Sequence, residues 1–134
     1  MIYLLDTDIA SYAIKSTSPK VDRKLAIVPY SQVAVSAITR AELLYGLKKL
    51  PPSHPLHATV QLFLRSVRVL PWEPEAGEWY AEIRFQLASS GQPIGQVDMM
   101  IAAHALVLGA TLVTNNTRHY ERIQAPLLLE NWAK

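Results

Sequence analysis

Apolar residues along this chain fall into short strand-like runs and longer runs of helical spacing, and the two kinds alternate. Ile2–Leu5, Val33–Ser36, Val67–Leu70 and Thr111–Val113 are short and rich in branched residues, as strands with little exposed surface are. Helical patterns fill the gaps. Ile9–Lys15 ends at the breaker Ser16-Thr17-Ser18-Pro19, and Lys20–Ile27 follows. Thr39 opens a helix that continues toward Leu50 and is stopped by Pro51-Pro52, and His57–Arg65 supports another. From Pro74 to about Ala88, Ala76, Trp79, Tyr80, Ile83 and Leu87 recur on one face, opposite Glu75, Glu78, Glu82 and Arg84. From Asp98 to Gly109 there is no charge except Asp98 itself, which predicts a helix buried nearly all round with Gly109 as its C-terminal cap. A polar stretch, Asn115–Glu121, and a last apolar run, Leu127–Leu129, complete the chain.

This alternation predicts a single α/β domain over residues 1–134: three layers, α/β/α, around a mostly parallel central sheet. In such sheets ligands collect outside the carboxyl ends of the strands. Asp6, Glu42, Thr114 and Asn116 follow strands, and Asp98 starts the helix that feeds the next one. The carboxylates are therefore expected on one edge.

Composition narrows the class. Half of the 134 residues are hydrophobic and 18% are charged, yet no apolar run is long enough to cross a bilayer. No signal-peptide pattern opens the chain and cysteine is absent, so a cytoplasmic protein without disulfides or membrane association is expected. A net charge of +2 is too small to name a polyanionic partner. Basic groups such as Lys20, Arg23 and Lys24, or Arg40, Lys48 and Lys49, or Arg65 and Arg68, read by default as solvated faces.

Asp6, Asp8, Glu42 and Asp98 are different, because they are embedded in apolar sequence. Singly, each has a local use. Asp6 or Asp8 can cap the first helix, Thr39 with Glu42 matches the S/T-x-x-E capping box, and Asp98 suits a helix N-terminus. Jointly, carboxylates converging on one edge repel each other, and a divalent cation relieves that repulsion. Oxygen-only donors favour Mg²⁺, with Mn²⁺ as a plausible substitute, and such a site suits phosphodiester hydrolysis.

Several segments, in order and across nearly the whole chain, carry a resemblance: Tyr3-Leu4-Leu5-Asp6-Thr7-Asp8-Ile9; Ser36 to Gly46 with Thr39-Arg40-Ala41-Glu42; Pro93-Ile94-Gly95 leading to Asp98; Ile101-Ala102-Ala103-His104-Ala105; and Leu112-Val113-Thr114-Asn115-Asn116-Thr117-Arg118. The chain resembles the PIN-domain ribonucleases, and within them the VapC toxins of prokaryotic toxin-antitoxin pairs. The resemblance implies a Mg²⁺-dependent endoribonuclease toxin that cuts structured RNA, such as tRNA, works as a homodimer and is neutralised by a VapB-type antitoxin. It implies catalysis by Asp6, Glu42, Asp98 and Asn116, with Asp6 and Asp98 as metal ligands and Glu42 a ligand directly or through water. Asn116 stands where the family usually has an acid, with Thr114 as a nearby hydroxyl, and His119 precedes the aromatic Tyr120. One tightly held Mg²⁺ is expected from this reduced charge, with a second, substrate-assisted ion left open and Asp8 restoring part of the charge.

Arg118 and Arg40 flank the expected cleft and could meet RNA phosphates, and Lys48, Lys49, Arg65 and Arg68 could extend that surface. His119 is expected to be solvated in its loop. His104, Tyr12, Tyr45, Trp79 and Tyr80 read as core. Two other functions are open. Asp6-Thr7-Asp8 mimics the nucleophile motif of haloacid-dehalogenase phosphatases, although Asp98 precedes Thr114 against that family's motif order. Asn116 and His119 also allow a PIN fold kept as a non-catalytic binding module.

Overall fold

Period-two alternation divides the strands between two apolar layers. Leu4, Ala34 and Leu112 point to one side of the sheet, while Leu5, Val33, Val35 and Val113 point to the other. A computed structural model describes residues 1–134. Its strands are β1 (Tyr3–Leu5), β2 (Val33–Ser36), β3 (Arg68–Leu70), β4 (Thr111–Val113) and β5 (Leu128–Glu130). They form a five-stranded sheet in the order β3-β2-β1-β4-β5, parallel throughout. All carboxyl ends therefore share one edge.

The helices are α1 (Thr7–Lys15), α2 (Pro19–Ile27), α3 (Ala37–Lys48), α4 (Leu56–Ser66), α5 (Pro74–Ser89), α6 (Gln96–Leu108) and α7 (Thr117–Tyr120). Ile83 and Leu87 of α5 pack with Met99, Ile101, Ala102, Ala103 and Ala105 of α6 on one side of the sheet. On the other side, Ile9 and Ala10 of α1 and Val21 and Leu25 of α2 meet Val67 and Trp132. The α/β/α expectation holds. The small side chains of α6 let its backbone lie close to β1 and β4, and Gly109 ends it in the left-handed region at φ 62°. No helix is long and apolar enough to cross a membrane.

Some local expectations are corrected. The capping box at Thr39 and Glu42 is not a cap, because α3 begins at the end of β2 and Ser36 caps it, accepting from the Ile38 N–H at 3.1 Å. Thr39 and Glu42 lie inside the helix. Tyr45 is 66% exposed, with the Lys49 ammonium 4.7 Å from its ring, so it is a surface residue. The polar stretch after β4 contains the short helix α7, which burial of Tyr120 anchors against the core. His119 is consequently half-buried, not solvated.

Candidate active site

Asp6 leaves β1 at the carboxyl edge and caps α1, its Oδ1 accepting from the Ile9 N–H at 2.9 Å. It is only 4% exposed, so its ionised form has lost most of its water. Burial above all, then the nearby charges of Asp8 and Asp98, pushes the carboxyl up to about 6, with the Thr114 hydroxyl and the Ile9 amide pulling the other way. The capping role and the electrostatic strain thus coexist in one side chain.

Asp98 sits in the first turn of α6 and is half-buried. Its carboxyl is also held above the usual range, by burial first and by Asp8 as well, while the Tyr120 hydroxyl and the His119 ring oppose the rise. Gly95 precedes that turn, and a Cβ there would stand 3.4 Å from Asp98 Oδ2, an ordinary contact. The Tyr120 hydroxyl is sealed from solvent and finds no hydrogen-bond partner of ordinary geometry. It faces the Asp98 and Asp6 charges, and burial with those charges raises its proton affinity far above that of a free tyrosine.

Glu42 reaches the same edge from α3 but is turned toward α1. Its Oε1 accepts from the Thr7 hydroxyl, and Thr7 also lies 3.2 Å from the Thr39 hydroxyl. Thr7, Asp8 and Glu42 form one wall of a cleft of about 530 Å³ whose remainder is largely apolar, with Lys15 and Lys49 at its margin. Asp6 and Asp98 do not line that cleft.

Asn116 follows β4, and its amide side chain pairs with His119 Nδ1 at 2.6 Å. Its backbone N–H donates to Thr114 Oγ1 at 2.9 Å, and Thr114 is fully buried beside Asp6. Arg118 and Arg40 are exposed on α7 and α3. His104 is a core residue, 2% exposed, its Nδ1 at 2.8 Å from Ser36 Oγ. Tyr120 is the site group that the residues alone did not single out, and its only sequence signal was an aromatic closing a polar stretch.

No three His, Asp or Glu side chains approach closely enough to hold one ion between them. Asp6 and Asp98 are instead two carboxyls raised chiefly by burial, with the charge of Asp8 acting on both and Glu42 held by Thr7. This donor set fits a small hard cation, because Mg²⁺ takes one or two carboxylates and fills its remaining positions with water or phosphate oxygens. The two raised carboxyls are what a positive ion would bring down.

A family model described as PIN domain matches residues 3–125. The chain is 36% identical over 135 residues to Ribonuclease VapC2 of Rickettsia felis, covering 100% of both chains. It is 37% identical over 131 residues to the tRNA(fMet)-specific endonuclease VapC of Salmonella typhimurium, covering 97% of each. The crystal structure of VapBC2 from Rickettsia felis bound to a promoter DNA fragment contains a chain that superposes with a TM-score of 0.89 at 35% identity, over 98% of this chain and 99% of that one.

Proposed function

The chain belongs to the PIN-domain family and, within it, to the VapC ribonucleases, and on that premise we propose that it is a Mg²⁺-dependent endoribonuclease toxin acting on structured RNA such as tRNA. The observation that carries the reading is the Asp6 and Asp98 pair at the sheet's carboxyl edge, both carboxyls raised by burial and by neighbouring negative charge. Such strain is kept where a bound ligand relieves it.

Asp6 and Asp98 would hold the cation. Bound there, Mg²⁺ supplies charge that polarises a phosphodiester and favours ionisation of an attacking water. Glu42, acting from α3 through a water, orients the nucleophile, and Thr7 fixes the direction of its carboxylate. Tyr120 has a hydroxyl proton to donate to Asp98 once the site fills. Asn116 takes the fourth position with His119 behind it, and Thr114 orients Asp6. In the reaction, water adds to phosphorus, one P–O bond breaks, and the leaving oxygen gains a proton. Arg118 and Arg40 are exposed on either side and are proposed phosphate contacts.

Relatives that occur as VapBC complexes support a VapB-type antitoxin as partner, and a homodimer as working unit and a cytoplasmic setting belong to the same proposal. The test is brief induction of the protein in cells, followed by sequencing of RNA 5′ ends beside an Asp98→Asn control. Discrete new ends in wild type alone are expected. Identical end profiles in the two cultures contradict the reading.

A further inference from the structure

We propose that a basic pocket on α2, apart from the carboxylates, grips backbone phosphates of the RNA whose scissile bond lies at Asp6 and Asp98. The inference rests on the RNA-cleaving reading and adds to it a place where the strand is held. Lys20, Arg23 and Lys24 stand at i, i+3 and i+4, on one helix face. With Asn131, Trp132 and Lys134 they enclose a pocket of about 280 Å³. No carboxylate side chain lines it, and Asp22, the acid of α2, lines a different groove with Phe63. Three cations gathered on little more than one turn, whose acid Asp22 lines a different groove, repel each other, and a multiply charged anion relieves that repulsion.

The catalytic edge itself is a poor place to bind a polyanion. Asp6, Asp8 and Asp98 spread negative charge along it, with Glu42 held apart by Thr7, so a strand carrying a charge on every nucleotide must be held by positive surface to the side. One wall of the basic pocket starts from that edge. Because β5 runs parallel to its neighbours, the segment after it emerges at the same edge as Asp6. Only β4 lies between β1 and β5, so the carboxyl ends of those two strands are about 10 Å apart, two strand spacings.

A continuous line of uncharged polar groups joins the two places. Asn131 Nδ2, at the pocket, donates to Asn115 Oδ1 at 3.1 Å. Asn115 adjoins Asn116, whose N–H donates to Thr114 beside Asp6. Val21 and Leu25 anchor the opposite face of α2 in the core with Trp132, which holds the basic face outward on a fixed support.

The experiment measures binding of a tRNA transcript by fluorescence anisotropy over a salt series, using full-length Asp98→Asn protein to prevent cleavage. Substituting Lys20→Ala, Arg23→Ala and Lys24→Ala together is expected to weaken binding by about tenfold or more and to lower the slope of log affinity against log salt by about 2, near 0.7 for each phosphate no longer neutralised. Lys20→Arg with Lys24→Arg is expected to keep the parent affinity. Should the triple variant melt early, Lys24→Glu alone keeps the test, with a greater loss expected than from Lys24→Ala. An unchanged affinity and salt slope in a folded triple variant overturns the inference while leaving the cleavage reading intact, as does a pocket that binds inorganic phosphate without affecting RNA affinity. Wild-type protein that neither cuts nor binds RNA with Mg²⁺ present overturns the cleavage reading itself.

Discussion

The Thr7 hydroxyl donates to the Glu42 carboxylate across the gap between α1 and α3, with the Thr39 hydroxyl 3.2 Å from Thr7 on the other side. The bond ties the residue after Asp6 to the acid brought by a different helix. It fixes the direction in which that acid can act.

Thr7→Val removes this bond and leaves the methyl volume in place. A hydrogen bond to a charged group contributes about 1.5–3 kcal/mol, so cleavage is expected to fall about 10- to 100-fold if the whole of it is felt in the transition state. Thr7→Ser retains the hydroxyl and should restore most of the rate. Steady-state cleavage with matched thermal melts checks both variants, and a Val variant with wild-type cleavage removes Thr7 and its bond to Glu42 from the mechanism.

Asp6 carries a cost to stability that the proposed cation site would explain. Its carboxyl stands at about 6 when folded against an ordinary 3.8, so the folded state binds the proton more tightly. That favours folding below pH 3.8 and is lost as pH rises to about 6, which leaves the ionised group as a cost at neutral pH. At about 1.4 kcal/mol per tenfold change, the cost is about 3 kcal/mol at most. Asp6→Asn keeps the cap on α1 and removes the charge. In EDTA at neutral pH it is expected to melt several degrees above wild type, whereas Mg²⁺ should raise the melting temperature of wild type and not of the variant. Calorimetry in the two buffers decides it, and a variant that melts below wild type in EDTA contradicts the assignment of strain to Asp6.

His104 acts in the opposite direction. The Pro71 carbonyl accepts one ring N–H of His104, so in the neutral ring Nδ1, 2.8 Å from Ser36 Oγ, is left to accept the Ser36 proton. Burial lowers its proton affinity below the ordinary 6.5. The unfolded chain therefore binds more protons just below 6.5, and stability present above that pH is lost as pH falls toward the folded value. In an Asp6→Asn, Asp98→Asn background, which removes both raised carboxyls and their opposing trend, urea midpoints should decline from pH 7 to pH 5. His104→Gln should flatten that decline, and an equally steep decline in the variant would place its cause elsewhere.

Much of this was legible in the residues. The α/β/α layering followed from apolar runs that switch between strand and helix spacing, and Gly109 marked the end of α6 because only the left-handed region closes that helix. Asp6 and Asp98 stood out because apolar sequence surrounds them. Tertiary contacts decided the rest. Thr39 and Glu42 matched a capping signature, yet β2 passes into α3 without a linker, so Ser36 takes the cap and frees both residues to meet Thr7. Tyr45 directly follows Leu43 and Leu44 in an apolar run but stands about 100° round the helix from Leu44 and projects to solvent. Tyr120 and the turn of α7 were invisible because a single helical turn has no period, and its order comes from burial of one ring.

The most direct measurement is the Mg²⁺ dependence of tRNA cleavage by wild type, Asp6→Asn and Asp98→Asn, each shown to be folded by its thermal melt. A carboxylate pair that acts through a bound cation gives wild-type cleavage that rises to saturation with Mg²⁺ and disappears in EDTA, and each Asn variant cleaves about a hundredfold more slowly or not at all, the size of loss typical when a catalytic electrostatic group is removed. Cleavage that persists in EDTA, or that both variants carry out at the wild-type rate, contradicts it.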